Sequence, residues 1–176
     1  MKYLFWSLIG IAIVATGVAV GAALLQPSSP QEDASSSYDT VLLYYYDAER
    51  DKDATGNIKC SLDGLAPVTR TLDVSGKTRS EVMADTLQLL LEGRISMREE
   101  DEGLVSNFPI DGVALNGVLL EGDDRETARL NFSDLFGKSS GGSCRVSILR
   151  AQITATAKQF SGVETVVIEP EDIFQP

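Results

Sequence analysis

From Tyr3 to Leu25 the chain runs through about 23 residues, YLFWSLIGIAIVATGVAVGAALL, without one charged side chain. A helix of that length rises about 34 Å at ~1.5 Å per residue, enough to cross a hydrocarbon core. Trp6 and Tyr3 stand near one end, where amphipathic rings favour a membrane interface. The run is longer than the ~7–15 residues of a signal-peptide core, so residues 1–25 read as a transmembrane anchor. Cleavage near Gly21-Ala22-Ala23 is the competing reading. No cysteine lies near the end of the run, which removes lipid modification as a third. Lys2 and the terminal amine precede the span. After it, Glu32, Asp33 and Asp39 come before the first base, Arg50. The positive-inside tendency then places a single-pass chain in the cytoplasmic membrane, N-terminus inside and the remainder extracytoplasmic. Cleaved or retained, the segment exports the rest of the chain.

The exported part carries all 26 acidic residues and all but one of the 15 bases, so it is more acidic than the chain's net charge of -11. A field of that sign repels phosphate backbones and anionic lipid surfaces, which argues against nucleic acid as a partner. The chain has no histidine. Ser-His-Asp and Cys-His catalysis, His-ligated zinc and imidazole pH switching are therefore excluded within it. The acids fall in loops or on helix faces, and no pair is placed for acid–base work. No enzyme and no cofactor is expected.

Residues 26–39 open with QPSSPQEDASSS, a Pro/Ser-rich flexible tether. Thr40–Tyr46 (TVLLYYY) is β-branched and aromatic and predicts a strand. Asp47–Gly56 resembles a calcium loop only in its acids. Ala54 stands where the turn glycine belongs and Cys60 where the bidentate Glu belongs, so a solvated loop is expected and no metal. Leu65–Leu72 is a second strand, with Pro67 marking its beginning or a sheet edge. Thr78 and Glu81 have capping-box spacing ahead of a helix over Ser80–Leu91, and Gly93 suits its end. Arg98–Glu102 (REEDE) is a solvated turn or short helix. Val113–Glu121 and Thr127–Phe132 form a hairpin across Gly122-Asp123-Asp124. Along Cys144–Phe160, Val146, Leu149, Ile153, Ala157 and Phe160 make one apolar face, with Ser143 a candidate N-cap and Gly162 the stop. Thr165–Ile168 is a last short strand, and Glu169–Pro176 reads as a tail. The expectation is one α+β domain over residues 40–176, ordered β-β-α-β-β-α-β, with two helices on one face of a mixed sheet.

An ordered set of residues resembles the GerMN domain. It comprises Pro67-Val68-Thr69-Arg70, the helix ending Leu90-Leu91-Glu92-Gly93, Asn131-Phe132-Ser133, and Gly141-Gly142-Ser143-Cys144-Arg145. Ile153, Thr156, Phe160 and Val163-Glu164-Thr165-Val166 complete it. The resemblance covers about residues 41–176. That family takes its name from sporulation and spore-germination proteins and occurs in other bacterial envelope lipoproteins. It implies an exported module similar to ring-building domains, acting through protein contacts. Arg70, Gly141, Gly142, Ser143 and Arg145 are its candidate interaction residues. The chain departs from the germination proteins in having one copy of the domain, no lipoprotein cysteine, and a cysteine pair.

Cys60 and Cys144 are the only cysteines. Outside the cytoplasm an even count points to a disulfide. The competing roles are a nucleophilic Cys144 at a helix N-terminus beside the Gly141-Gly142 amides, or half of a zinc site. Arg150, a further candidate interaction residue, flanks the apolar face: a packed stem with a wet head is the first reading, and an ion pair with an acid such as Asp134 or Glu92 the competing one. The functional expectation is a non-catalytic, membrane-anchored assembly module of the bacterial envelope. Its partners are envelope proteins, self-association included, met through sheet edges and the polar face of Cys144–Phe160. A sensor domain for a peptide or peptidoglycan ligand is the alternative.

Overall fold

The computed structural model describes residues 37–176, so the anchor and most of the tether read from the sequence lie outside the described residues. Two three-stranded sheets replace the single sheet expected. The first is antiparallel: β1 (Tyr38–Asp47) lies between β2 (Leu65–Asp73) and the two-residue β3 (Leu104–Val105). The second is mixed: β5 (Thr127–Asp134) pairs antiparallel with β4 (Val113–Glu121) and parallel with β6 (Thr165–Glu169). Strand β1 starts two residues inside the stretch read as tether, pairing Tyr38 with Asp73.

Three helices complete the domain. Helix α1 (Arg79–Leu91) begins in the expected capping box, in which Thr78 and Glu81 satisfy each other's backbone N–H groups. A short α2 (Met97–Asp101) has a box of its own between Ser96 and Glu99. Helix α3 (Ser143–Lys158) starts one residue earlier than expected: Gly142 is its N-cap, without a side-chain cap bond, and Ser143 already lies inside the first turn. The order β-β-α-β-β-α-β therefore gains α2 and β3 between α1 and β4.

One apolar core runs through both sheets. Leu43 and Tyr45 of β1, Leu87 and Leu90 of α1, Leu130 and Phe132 of β5, and Leu149 and Ile153 of α3 belong to it. The C-terminal stretch read as a tail belongs to it too. Ile173 and Phe174 are buried, and the Phe174 ring meets Phe132 edge-on with centroids 5.4 Å apart. Gly93 has φ +64° and lies against the Phe108 carbonyl so closely that a Cβ would collide with it, which is why α1 ends there. Gly162, with φ +82°, closes the turn after α3 rather than the helix itself.

The second sheet separates because β1 has no room for more strands. Its long flank opposite β2 is taken by α3, and β3 reaches only Tyr46 and Asp47.

Candidate interaction surface

Along β1, helix α3 stands where a neighbouring strand would be. The Gln159 side chain accepts from the Leu42 N–H at 2.7 Å and donates to the Leu42 carbonyl at 2.7 Å. One turn earlier, Thr156 Oγ1 accepts from the Tyr44 N–H at 3.2 Å. These side chains satisfy backbone groups that a strand edge leaves open. Gln152 is next on the same stripe and is fully buried, yet its amide has no hydrogen-bond partner among the described residues.

The start of α3 is held covalently. Cys60 and Cys144 are bonded with Cα atoms 5.3 Å apart, so Cys144 has no thiol and the nucleophile and zinc roles are both ruled out. Cys60 sits at φ +57° in the loop after β1. That loop is not simply solvated, as the sequence suggested. Asp51 is buried in it, accepting from the Tyr46 hydroxyl at 2.6 Å, the Ser61 N–H at 2.8 Å and the Ser61 hydroxyl. Burial pushes the Asp51 carboxyl up, but the Ser61 and Tyr46 hydrogen bonds outweigh it and hold the group below the usual range. Burial, then the bond to Asp51, pushes the Tyr46 phenol up to about 12. Gly64 packs so tightly on the Tyr46 ring and Asp51 that any side chain there would collide.

The residues singled out from the sequence divide into separate places. Gly141, Gly142, Ser143, Cys144 and Arg145 gather at the start of α3. Arg145 donates to the Lys138 carbonyl at 3.2 Å and the Ser140 carbonyl at 2.8 Å, folding the glycine loop back on its own helix. Asp134 anchors the other end of this loop, accepting from Ser139 N–H at 2.7 Å and Phe136 N–H at 3.2 Å. Burial raises its pKa, but these donors prevail and bring it to about 2.

Arg150 makes neither of the ion pairs weighed for it. It is half-buried and has no charged partner among the described residues, while Asp134 is occupied by its loop and Glu92 pairs with Arg94 at 3.0 Å. The first reading, a packed stem with a wet head, fits its half-buried position.

Arg70 lies apart, on the inner side of β2. It grips Glu99 of α2 through two bonds, 2.8 Å and 2.9 Å, and also donates to the Arg94 carbonyl at 3.0 Å. The sequence reading missed this role for Glu99, which looked like one acid of a solvated charge run. Its one signal was the Ser96–Glu99 capping spacing. The Arg70 guanidinium pulls the Glu99 carboxyl from its ordinary 4.5 to about 2. A carboxyl depressed in the folded state contributes stability that is complete above about pH 4.5 and is lost as pH falls toward 2. We therefore expect Glu99→Gln to remove on the order of 2 kcal/mol at neutral pH and to flatten the loss of stability over that acid window. Urea unfolding at stepped pH checks this; parallel acid limbs in the two proteins would contradict it.

Beside this pair an open cleft of about 570 Å³ runs between β2 and α2, floored by Ala66 and Val68 and flanked by Asp47, Arg98 and Glu102. Among the described residues no group of three or more acids and cysteines is placed to hold a metal ion. None of the described helices is long and apolar enough to cross a membrane.

The described part is thus an α+β domain whose conspicuous polar residues serve as internal struts. A family model described as "Germane: sporulation and spore germination" matches residues 42–172, and the chain belongs to that family, in keeping with the GerMN resemblance of its sequence. Solved structures similar to it include the tandem GerMN domains of the sporulation protein GerM from Bacillus subtilis, at 16% identity and a TM-score of 0.44 over 77% of this chain. The first GerMN domain of that protein matches at 21% identity and 0.40, covering 74% of this chain and 84% of its own. A putative lipoprotein from Clostridium perfringens matches at 14% and 0.38, covering 76% of each chain. The present chain spans 40% of the tandem structure's length. No curated protein matches it.

Proposed function

We propose that this chain is a non-catalytic contact module of the bacterial cell envelope, held at the cytoplasmic membrane by its N-terminal segment and working outside it. The observation that supports this best is how its reactive-looking residues are used. Cys144 is spent in a disulfide, Arg145 and Asp134 fold a loop, and Arg70 and Glu99 lock each other. Groups engaged in this way supply rigidity, which suits a surface that must dock in one shape. The partners on this reading are other envelope proteins, further copies of the chain among them.

Crosslinking in intact cells, followed by identification of what the domain touches, tests it. The expected result is recovery of envelope proteins from the membrane fraction. Intact protein free in the cytosol with both thiols alkylatable would overturn it. The open cleft beside β2 favours a second reading, capture of a peptide or peptidoglycan ligand. A thermal shift with wall fragments, in the absence of crosslinked proteins, would favour that reading over assembly.

A further inference from the structure

One residue pair in the second sheet carries chemistry of its own. Of Asn57, Asn107, Asn116 and Asn131, Asn116 alone precedes a glycine. The side-chain amide carbon of an asparagine can close a five-membered ring with the backbone nitrogen of the next residue. With glycine there, no Cβ hinders the approach and the backbone turns freely. The other three are followed by Ile58, Phe108 and Phe132, all bulky. A regular ladder would fix the backbone on both sides of such a pair, but here the ladder is broken. Strand β4 lies at the edge of its sheet, and its register on β5 shifts so that Leu115 faces Phe132 and Gly117 faces Asn131. Asn116 is the extra residue between them, left without a cross-strand partner.

The side chain is exposed, and it is activated as well. Asn116 Nδ2 donates to Asn131 Oδ1 at 3.0 Å, and Asn116 Oδ1 accepts from the Ser133 hydroxyl at 3.2 Å. The two bonds hold the amide in one orientation. A hydroxyl donating to Oδ1 draws electrons from Cγ and stabilises negative charge that grows on that oxygen. The glycine side has room. A methyl at the Cβ position of Gly117 would meet no described atom within 4 Å. Gly117 also lines an open hollow of about 280 Å³ with Leu119, Arg129 and Glu169, so water reaches the peptide from there.

We propose that Asn116–Gly117 is a self-modification site, at which the folded domain deamidates with help from the Ser133 hydroxyl. The Gly117 nitrogen gives its proton to water and bonds to Asn116 Cγ. The Cγ–Nδ2 bond then breaks, and Nδ2 takes up a proton and leaves as ammonia. The product is a five-membered succinimide. Water opens it at either carbonyl to give aspartate or isoaspartate, and no oxidant or reductant takes part. Either product sets a new carboxylate beside Asn131 and Ser133, on the face that exposes Leu119. Isoaspartate also lengthens the main chain by one carbon, at a bulge that already holds an extra residue. The second sheet thereby acquires a charge that records the age of the molecule. The inference is independent of the contact-module reading.

The test ages the full-length protein in detergent micelles in mildly alkaline buffer and follows each asparagine by peptide mass mapping. Asn116 should convert about tenfold or more faster than Asn57, Asn107 and Asn131. The aged protein should gain an acidic species that focuses with the Asn116→Asp variant. Gly117→Ala, for which there is room, should slow the conversion by about tenfold, and Ser133→Ala by about threefold or more. The Cys60→Ser, Cys144→Ser double variant separates reaction in the folded domain from reaction in the unfolded chain, and it should age at the wild-type rate. A rate that climbs when the disulfide is lost overturns the inference, because the chemistry then belongs to the unfolded chain. Equal conversion at Asn116 and the other asparagines overturns it too, as does a Ser133→Ala protein that ages as fast as the wild type.

Discussion

Replacing Cys60 and Cys144 together by serine should lower the stability of the domain by about 4 kcal/mol. The bond joins positions 84 apart in sequence. In the chain-entropy account, a crosslink over a loop that long removes much of the unfolded chain's freedom. It also acts locally. The loop between β1 and β2 contains no helix beyond the single turn Leu62–Gly64, and it is pinned by Asp51 and by the disulfide. Freed at Cys60, a residue held at φ +57°, the loop loses its tie to α3. The double variant avoids the unpaired thiol that single variants leave. Urea unfolding of both proteins, and of the wild type in dithiothreitol, measures the effect. A loss below about 1 kcal/mol would mean that the crosslink constrains little.

The second large effect is a contrast of sign within one helix. Gln159→Leu strips the partners from both the N–H and the carbonyl of Leu42, and combining it with Thr156→Val strips the Tyr44 N–H as well. Each partly buried group left unpaired costs roughly 1–3 kcal/mol, so the double variant should lose about 3 kcal/mol or more. Gln152→Leu should do the reverse. Gln152 is 0% exposed and its amide has no partner among the described residues, so an apolar side chain of similar volume should gain about 1 kcal/mol. Chemical denaturation of the three variants decides it. A destabilised Gln152→Leu, or an unaffected Gln159→Leu, would contradict the account of α3 as a substitute strand.

That substitution is also where the sequence was least readable. Local signals reported well: the β-branched run at Thr40–Tyr46, the Thr78–Glu81 box, the hairpin across Gly122, and the apolar face of α3 all appear where expected. Pro67 does sit on an edge strand. Sheet membership did not show, because it depends on which distant segments meet. A helix competes with strands for the flank of β1, and nothing local to Thr40–Tyr46 announces that. Thr156 and Gln159 fall outside the apolar face of Val146, Leu149, Ile153, Ala157 and Phe160. Their spacing with Gln152, at intervals of four and three, was the available sign of a third surface between the apolar and polar faces. The disulfide and the family resemblance were both legible. The partners proposed for Arg150 were not, since Asp134 and Glu92 are taken by nearer donors. The burial of Ile173 and Phe174 was hidden by their position among polar residues at the C-terminus.

Arg70 holds β2 and α2 together. The same guanidinium that ties α2 to β2 also donates to the Thr69 carbonyl at 2.9 Å, on the outer edge of β2.

Amide hydrogen exchange, resolved residue by residue on the partner-free protein, tests most directly whether α3 closes one side of the first sheet. Leu42 and Tyr44 should exchange slowly although no strand lies beside them. Rapid exchange at Leu42 and Tyr44 would contradict it.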